Sequence, residues 1–218
     1  MKSFNRLGLI TLTLALASCT SAPVHYHTVP VPVGQTTAPE QPVPFFIDVL
    51  PVGVPVQFDQ PQLIVRQGDS SIALLENERW TGPLSDELRS ALSAELTQRL
   101  ATQDVAGLAQ PTGTPVLRIK LQVRRLDAWP GKHTRLEADW SMSFSSQADA
   151  RLVCPDHFEE SASAGYSEMV RAQQRMVASL AAVITRNARE WTQPHLRGSA
   201  QNDAGPQCRG ANRPATTP

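Results

Sequence analysis

Cysteine carries the most informative chemistry in this sequence, and the first cysteine, Cys19, follows a segment with a distinctive layout. Lys2 and Arg6 make the N-terminus basic, and an apolar run over residues 7–17 leads through small residues into Cys19. This order is typical of a secretory signal peptide. The apolar run has 11 residues, whereas a helix needs about 20 to cross a bilayer. Residues 1–18 are therefore predicted to direct export and to be removed.

The end of this segment resembles the lipobox of bacterial lipoproteins, with the residues Leu16, Ala17, Ser18 and Cys19. In a lipobox the cysteine thiol receives a diacylglycerol, the chain is cut just before the cysteine, and the new amino group is acylated. The resemblance implies that Cys19 is the lipid-bearing first residue of the mature chain. Thr20 stands where an Asp would retain the protein at the inner membrane, so the resemblance points to the outer membrane. The alternatives are an uncleaved anchor, or secretion with an unmodified Cys19.

Two further cysteines, Cys154 and Cys208, remain once Cys19 carries lipid. An exported chain meets an oxidising compartment in which disulfides persist. The even number favours a bridge between Cys154 and Cys208. The alternative is two free thiols, one packed in the core and one in a loose tail. A zinc site on these two residues is disfavoured, because structural zinc takes four ligands.

Candidate catalytic and metal-binding residues are few. A strand would place His25 and His27 on one face, where they could hold a metal ion, but no third ligand stands nearby. Glu137 and Asp139 alternate with apolar residues, which places them on the solvent face of a strand rather than in a catalytic pair. The sequence lacks a serine-nucleophile elbow, a zinc-protease motif and a phosphate-binding glycine loop. We therefore expect recognition rather than catalysis, with no metal and no cofactor beyond the N-acyl diacylglycerol on Cys19.

The charge balance excludes one class of partner. The chain has 20 Lys and Arg against 20 Asp and Glu. Removal of residues 1–18 takes away two basic residues and leaves a 200-residue mature chain with a net charge of −2. Nucleic-acid binding would call for a basic face, so no nucleic-acid partner is expected. A chain of this length can form one domain with a hydrophobic core.

Composition divides the mature chain into a tether, one domain and a tail. Residues 19–44 are rich in proline and poor in residues that pack, which is typical of an extended spacer; a first strand could lie within residues 24–29. Residues 192–218 have the composition of a flexible tail. The folded domain is predicted over residues 45–191.

Hydrophobic patterns in the domain predict strands, a helix, more strands and a second helix. Every fourth residue from Leu84 to Leu100 is leucine, which predicts a helix with one buried stripe. Two runs of strict alternation, residues 117–124 and 135–144, predict an antiparallel hairpin around Pro130-Gly131. Further segments read as strands over residues 45–52, 62–66, 71–76, 151–154 and 158–164, and as a long helix over 167–191.

These elements predict an α+β fold. We expect a two-layer α/β sandwich, with an antiparallel or mixed sheet and two long helices packed on one face. Trp80 lies just before the first helix. It could bind a sugar or a lipid, but its apolar neighbours favour a buried aromatic side chain that closes the start of the helix.

Several blocks in order resemble the ABC-type transport auxiliary lipoproteins, also called the paraquat-inducible protein C family. The resemblance covers about residues 24–191 and departs from the family at Gln60, where Arg is usual. The blocks are Tyr26 in a short strand, Ile47–Val52, Asp59–Arg66, Arg79–Leu84, Gly165-Tyr166, Ala172-Gln173 and Leu180–Ile184.

The resemblance implies a role beside MCE-domain periplasmic proteins and an inner-membrane ABC permease, which move lipids or hydrophobic molecules between the two membranes. It implies a lipid-anchored protein on the periplasmic face of the outer membrane, which could act as a homo-oligomer. The competing hypotheses are a structural or pilotin-like assembly lipoprotein and, from another class, an envelope hydrolase. A hydrolase needs a convergent set of reactive side chains, and no such spacing is visible.

Overall fold

The structure is a computed structural model that describes residues 22–31, 41–109, 112–146, 151–196 and 208. Within these residues the chain forms seven strands and two helices. In chain order they are β1 (His25–His27), β2 (Phe46–Val49), β3 (Gln62–Arg66), β4 (Ile72–Trp80), α1 (Leu84–Leu100), β5 (Val116–Trp129), β6 (His133–Phe144), β7 (Arg151–Ser161) and α2 (Tyr166–Leu196). The architecture is an α+β fold, as predicted.

The larger sheet has four strands in the order β2-β5-β6-β7. β2 runs parallel to β5, and the later neighbours are antiparallel, so the sheet is mixed. Alternation decides which face is buried: Ile119 of β5 and Trp140 and Met142 of β6 point into the core. The hairpin turns at Pro130-Gly131, where Gly131 has a φ of 74°, a conformation that favours glycine.

The smaller sheet has three strands in the order β1-β4-β3. β3 and β4, which correspond to the strands predicted over residues 62–66 and 71–76, form an antiparallel hairpin, and β1 runs parallel to β4. The sequence predicts one sheet, whereas the structure divides the strands between two. Alternation identifies the buried face of a strand but not its neighbours, because strand pairing depends on segments that are far apart in the chain.

β4 is longer than predicted and changes its buried face halfway along. Gln62 pairs with Arg79 but Leu63 pairs with Leu75, so residues 76–78 form a bulge between the two registers. Before the bulge the even-numbered residues of β4 are exposed, and after it Trp80 points into the core. Trp80 is only 4% exposed, which confirms the prediction of a buried aromatic residue.

α1 begins after Pro83, whose carbonyl accepts the backbone N–H groups of Asp86 and Glu87 at 3.0 and 3.1 Å. A carboxylate from an earlier loop completes this end, because the N–H of Ser85 donates to Asp59 at 3.0 Å. The bond satisfies a free donor and places negative charge at the positive end of the helix dipole. The predicted leucine stripe is buried along the whole helix.

α2 begins at Tyr166 and extends five residues beyond its predicted end. It packs on β6 and β7 and beside α1, which contacts β2, so both helices cover the same face of the larger sheet. Near its end Trp191 stacks on Phe144, and Phe144 meets Phe45 edge to face, each pair with centroids 6.0 Å apart. In the described ranges, neither helix is both long and apolar enough to cross a bilayer.

β7 is one continuous strand where the sequence predicts two short ones. Pro155 is accommodated because β7 is the edge strand, so the N–H that proline lacks is not needed for a second neighbour. Cys154 of β7 points into the core and forms a disulfide with Cys208, with the two Cα atoms 5.5 Å apart. This is the pairing that the even cysteine count favours, and it ties Cys208 to the domain.

Candidate functional site: the clamp on the N-terminal strand

β1 is the first element after the predicted lipid-attachment site. Its residues His25 and His27 lie opposite Glu78 and Trp80 of β4. The backbone N–H of Thr81 also donates to the carbonyl of His27 at 3.1 Å. Residues 25–27 therefore form a strand of the folded domain. This strand lies within residues 24–29, where the sequence allows a first strand.

Glu78 lies between the two histidines of β1. His25 Nδ1 is 2.9 Å from one carboxylate oxygen, and His27 Nε2 is 2.5 Å from the other. The side chains of His27 and Glu78 are 11% and 15% exposed, whereas that of His25 is 60% exposed. Burial acts to raise the pKa of Glu78, but hydrogen bonds from His27 and His25 and their charge outweigh it, so the pKa is lowered. Glu78 therefore stays ionised at neutral pH and accepts a bond from each ring.

A second carboxylate, Glu87, holds the chain just after β1. It lies in the first turn of α1 and is 6% exposed. Its Oε2 accepts the hydroxyl of Thr28 at 2.7 Å and the backbone N–H of Val29 at 2.9 Å, and its Oε1 accepts the hydroxyl of Thr81. The positive end of the helix dipole adds to these bonds. The charge is thus buried with three donors around it.

The two carboxylates and the segment they bind form a unit that we call the N-terminal clamp. Its members are His25, His27, Thr28, Val29, Glu78 and Glu87. α2 joins it from the other side, because the side-chain amide of Gln174 donates to the carbonyl of Thr28 at 3.0 Å. Val29 packs into the core with 1% of its surface exposed. The clamp therefore connects residues 25–29 to β4, α1 and α2.

The clamp brings together residue types that bind metals, and Glu78 is the group that the sequence alone did not reveal. Glu78 is 51 residues from His27, so no local spacing could have indicated it. In the part of the chain that the structure describes, no three or more His, Cys, Asp or Glu residues are arranged so that they could hold a metal ion. The rings instead bond to the carboxylate, which links β1 to β4.

A third carboxylate, Asp127, joins the two sheets. It is 2% exposed and accepts Arg66 Nε of β3 at 2.6 Å, with Arg125 on its other oxygen. Arg66 belongs to the smaller sheet and Asp127 to the larger. The smaller sheet, which carries the clamp, is thereby fixed against the larger one.

The remaining predicted residues lie apart from one another. Leu16, Ala17, Ser18 and Cys19 are outside the described residues. Asp139 lies on the outer face of the larger sheet and pairs with Arg124 at 2.6 Å, and Arg135 pairs there with Glu159 at 2.7 Å. Glu137 alternates with buried neighbours on the same strand. Opposite charges on neighbouring strands thus pair across the outer face of the larger sheet.

Two shallow cavities lie elsewhere on the described surface. One of about 340 Å³ lies between the segment 41–45 and the end of α2, beside Arg189. The other, of about 230 Å³, lies over the outer face of the larger sheet near Lys120 and Arg124. The second cavity is lined by polar side chains of neighbouring strands, among them Lys120, Asp139 and Ser141.

Comparison with known proteins supplies the family. The sequence model described as "ABC-type transport auxiliary lipoprotein component" matches residues 27–185. The matched range begins within β1 and includes both carboxylates of the N-terminal clamp. Among curated proteins, none matches the chain.

Two solved structures share the fold. A crystal structure of an uncharacterized protein has a TM-score of 0.60 and 20% identity, over 76% of this chain and 99% of that chain. A Xanthomonas campestris protein of the DUF330 family has a TM-score of 0.52 and 16% identity, over 79% of this chain and 99% of its own. At sequence identities of 20% and 16%, these two structures show that the fold is shared and nothing more.

Proposed function

The chain belongs to the family of ABC-type transport auxiliary lipoprotein components, and on this premise we propose that it is the outer-membrane-anchored subunit of an intermembrane lipid transport system. The family match over residues 27–185 carries the proposal. The protein acts by recognition and assembly rather than by catalysis. The fold supports this role, because the buried carboxylates of the clamp serve to hold the N-terminal segment.

The anchor is the lipid on Cys19. After residues 1–18 are removed, Cys19 carries a thioether-linked diacylglycerol and an N-acyl chain such as palmitate. Several acyl chains on one residue give lasting attachment, since each buried methylene contributes about 0.8 kcal/mol. Thr20 in place of Asp supports delivery to the periplasmic face of the outer membrane.

The partners are an MCE-domain periplasmic protein and, through it, an inner-membrane ABC permease. The lipoprotein contacts the outer-membrane end of this assembly. Several copies of it could form a homo-oligomer around the end of the partner's channel. Contact of this kind needs a shaped surface rather than reactive groups.

Purification of the natively lipidated protein from the envelope in mild detergent tests the partnership. The MCE-domain protein should co-purify, and deletion of either gene should produce the same sensitivity to detergent or bile salts. Co-purification with a secretin would favour the assembly-lipoprotein alternative. Independent phenotypes with no MCE protein in the eluate would refute the proposal.

The anchor has its own test. The intact mass of the purified protein should correspond to a chain that begins at Cys19 and carries three acyl groups. Cys19→Ser should leave residues 1–18 attached and abolish labelling by a fatty-acid probe. Unchanged labelling of this variant would show that the lipid lies elsewhere.

A further inference from the structure

The smaller sheet presents apolar side chains to solvent on its outer face. Tyr26 of β1 is 65% exposed, and Ile72 and Leu74 of β4 are 42% and 43% exposed. Ile64 of β3 pairs with Leu74 and is half-buried beside it. We call these four residues the apolar face.

The two registers of β4 put these residues on one side of the sheet. Leu63 and Val65 of β3 are buried, so the alternate residues Ile64 and Arg66 face outward, and their partners Leu74 and Ile72 face outward with them. Beyond the bulge His27 and Trp80 point inward, which turns Tyr26 outward. The bulge therefore keeps the apolar face on the outer side along the whole of β4.

The direction of β1 decides from which end the chain arrives. Because β1 runs parallel to β4, with His25 opposite Glu78 and His27 opposite Trp80, the residues before His25 approach from the end of β4 that carries Ile72 and Leu74. An antiparallel β1 would have brought the chain in from the opposite end. An anchor attached before His25 is therefore expected on the side of the smaller sheet that carries Ile72 and Leu74.

The length of chain before β1 limits how far the anchor can be. Six residue steps separate Cys19 from His25, and a fully extended chain covers at most about 21 Å in six steps. The proline-rich residues after β1 add nothing to this reach, because Val29 on one side and the N–H of Val43, bonded to Leu100 at 3.1 Å, on the other are both fixed to the domain. A bilayer that holds the acyl chains of Cys19 therefore lies within about 20 Å of β1.

We propose that the apolar face rests on the surface of the phospholipid membrane that holds the acyl chains of Cys19. The proposal rests on the lipid anchor of the proposed function and adds an orientation to it. Tyr26 suits such a position, because its ring is apolar and its hydroxyl is wet. Arg79, paired with Glu76 at 3.6 Å beside Tyr26, provides charges that can meet lipid headgroups.

Photocrosslinking tests the orientation in the natively lipidated full-length protein. Leu74→p-benzoylphenylalanine and Tyr26→p-benzoylphenylalanine place a photoreactive ketone on the apolar face without disturbing the core. The proteins are reconstituted in vesicles of phosphatidylethanolamine and phosphatidylglycerol, irradiated, and examined by mass spectrometry for phospholipid adducts.

Leu108→p-benzoylphenylalanine is the matched control. Leu108 is 68% exposed but is distant from the apolar face. Leu108 lies near the first residues of β5, because the N–H of the nearby Val105 donates to the carbonyl of Ile47, and Ile47 pairs with Leu117. Ile72 lies near the last residues of β5, because it pairs with Arg66, whose side chain binds Asp127. Ten residues of β5 between Leu117 and Asp127 correspond to about 33 Å. Leu108 therefore lies far from Ile72 and Leu74 and reports on labelling that is not confined to the apolar face.

We expect at least five times more phospholipid adduct at positions 26 and 74 than at position 108. Equal yields at the three positions, or adducts at 26 and 74 with a second copy of the chain or another protein, would overturn the orientation. The intact mass of the same sample reports the lipid on Cys19. A lipidated protein without adducts refutes only the orientation, whereas a protein without lipid refutes the anchor and, with it, the orientation.

Discussion

The carboxylate of Glu87 accepts the hydroxyl of Thr28 at 2.7 Å across 59 residues of sequence. The same oxygen accepts the backbone N–H of Val29 at 2.9 Å. A backbone donor has no substitute at this position, because Val29 is buried. One side chain of α1 thus holds the segment that directly follows β1.

Removal of this carboxylate should be costly. Glu87→Ala leaves the N–H of Val29 and two hydroxyls without their acceptor, and hydrogen bonds to a charged group are worth about 1.5–3 kcal/mol each in favourable cases. We expect the free energy of unfolding in urea to fall by about 3 kcal/mol. Glu168→Ala, which removes an exposed partner of Arg171, should change it by less than about 0.5 kcal/mol. Equal losses in the two variants would contradict the role of Glu87.

Glu78 predicts a dependence of stability on pH. Its pKa in the folded protein is lowered from the ordinary value of 4.5, so folding favours the ionised form. The stabilisation is therefore fully present above pH 4.5 and is lost as the pH falls through the lowered folded-state pKa. We expect Glu78→Gln to be less stable than the parent at pH 7 and the difference to disappear in acid.

Urea unfolding of both proteins at a series of pH values between 3 and 7 measures this difference. Glu76→Gln removes a carboxylate from the same strand whose side chain is 71% exposed, and its curve should follow the parent closely. A difference between Glu78→Gln and the parent that persists unchanged at the acid end would show that the effect is not one of charge.

Asp127 predicts a large effect at the junction between the sheets. Asp127→Ala leaves Arg66 without its buried partner, and removal of one member of a buried pair costs about 3–5 kcal/mol. The exposed pair of Arg124 and Asp139 provides the comparison, because Asp139→Ala should cost less than about 1 kcal/mol. Thermal and urea unfolding of the two variants measure both changes, and similar losses would mean that Asp127 does not connect the sheets.

The disulfide predicts a loss of stability on reduction. It closes a segment of 54 residues that includes most of β7 and all of α2. Loop-closure entropy for this length corresponds to about 4 kcal/mol. Cys208→Ala and reduction of the parent should lower the free energy of unfolding by the same amount, and peptide mass spectrometry without reductant should find Cys154 linked to Cys208. Two alkylatable thiols in the exported protein would contradict the pairing.

The elements with strong local periodicity could be read from the sequence. The leucines of α1 recur every fourth residue and the apolar residues of β5 and β6 every second one, so the pattern itself states which side of each element is buried. The order of these elements was enough to predict an α+β fold with two helices. The bridge between Cys154 and Cys208 followed from a count, and the family from blocks of residues in order.

The tertiary structure alone decided the neighbours of the short N-terminal strand. His25 and His27 could be placed on one face, but no spacing indicates Glu78 and Glu87, which lie more than 50 residues away and take their positions from a bulge in β4 and from the first turn of α1. Local patterns arise from the geometry of one element, whereas the pairing of β1 depends on which distant surfaces the folded core leaves open. The parallel direction of β1, and with it the end of the sheet from which the chain enters this strand, is therefore a property of the packed domain.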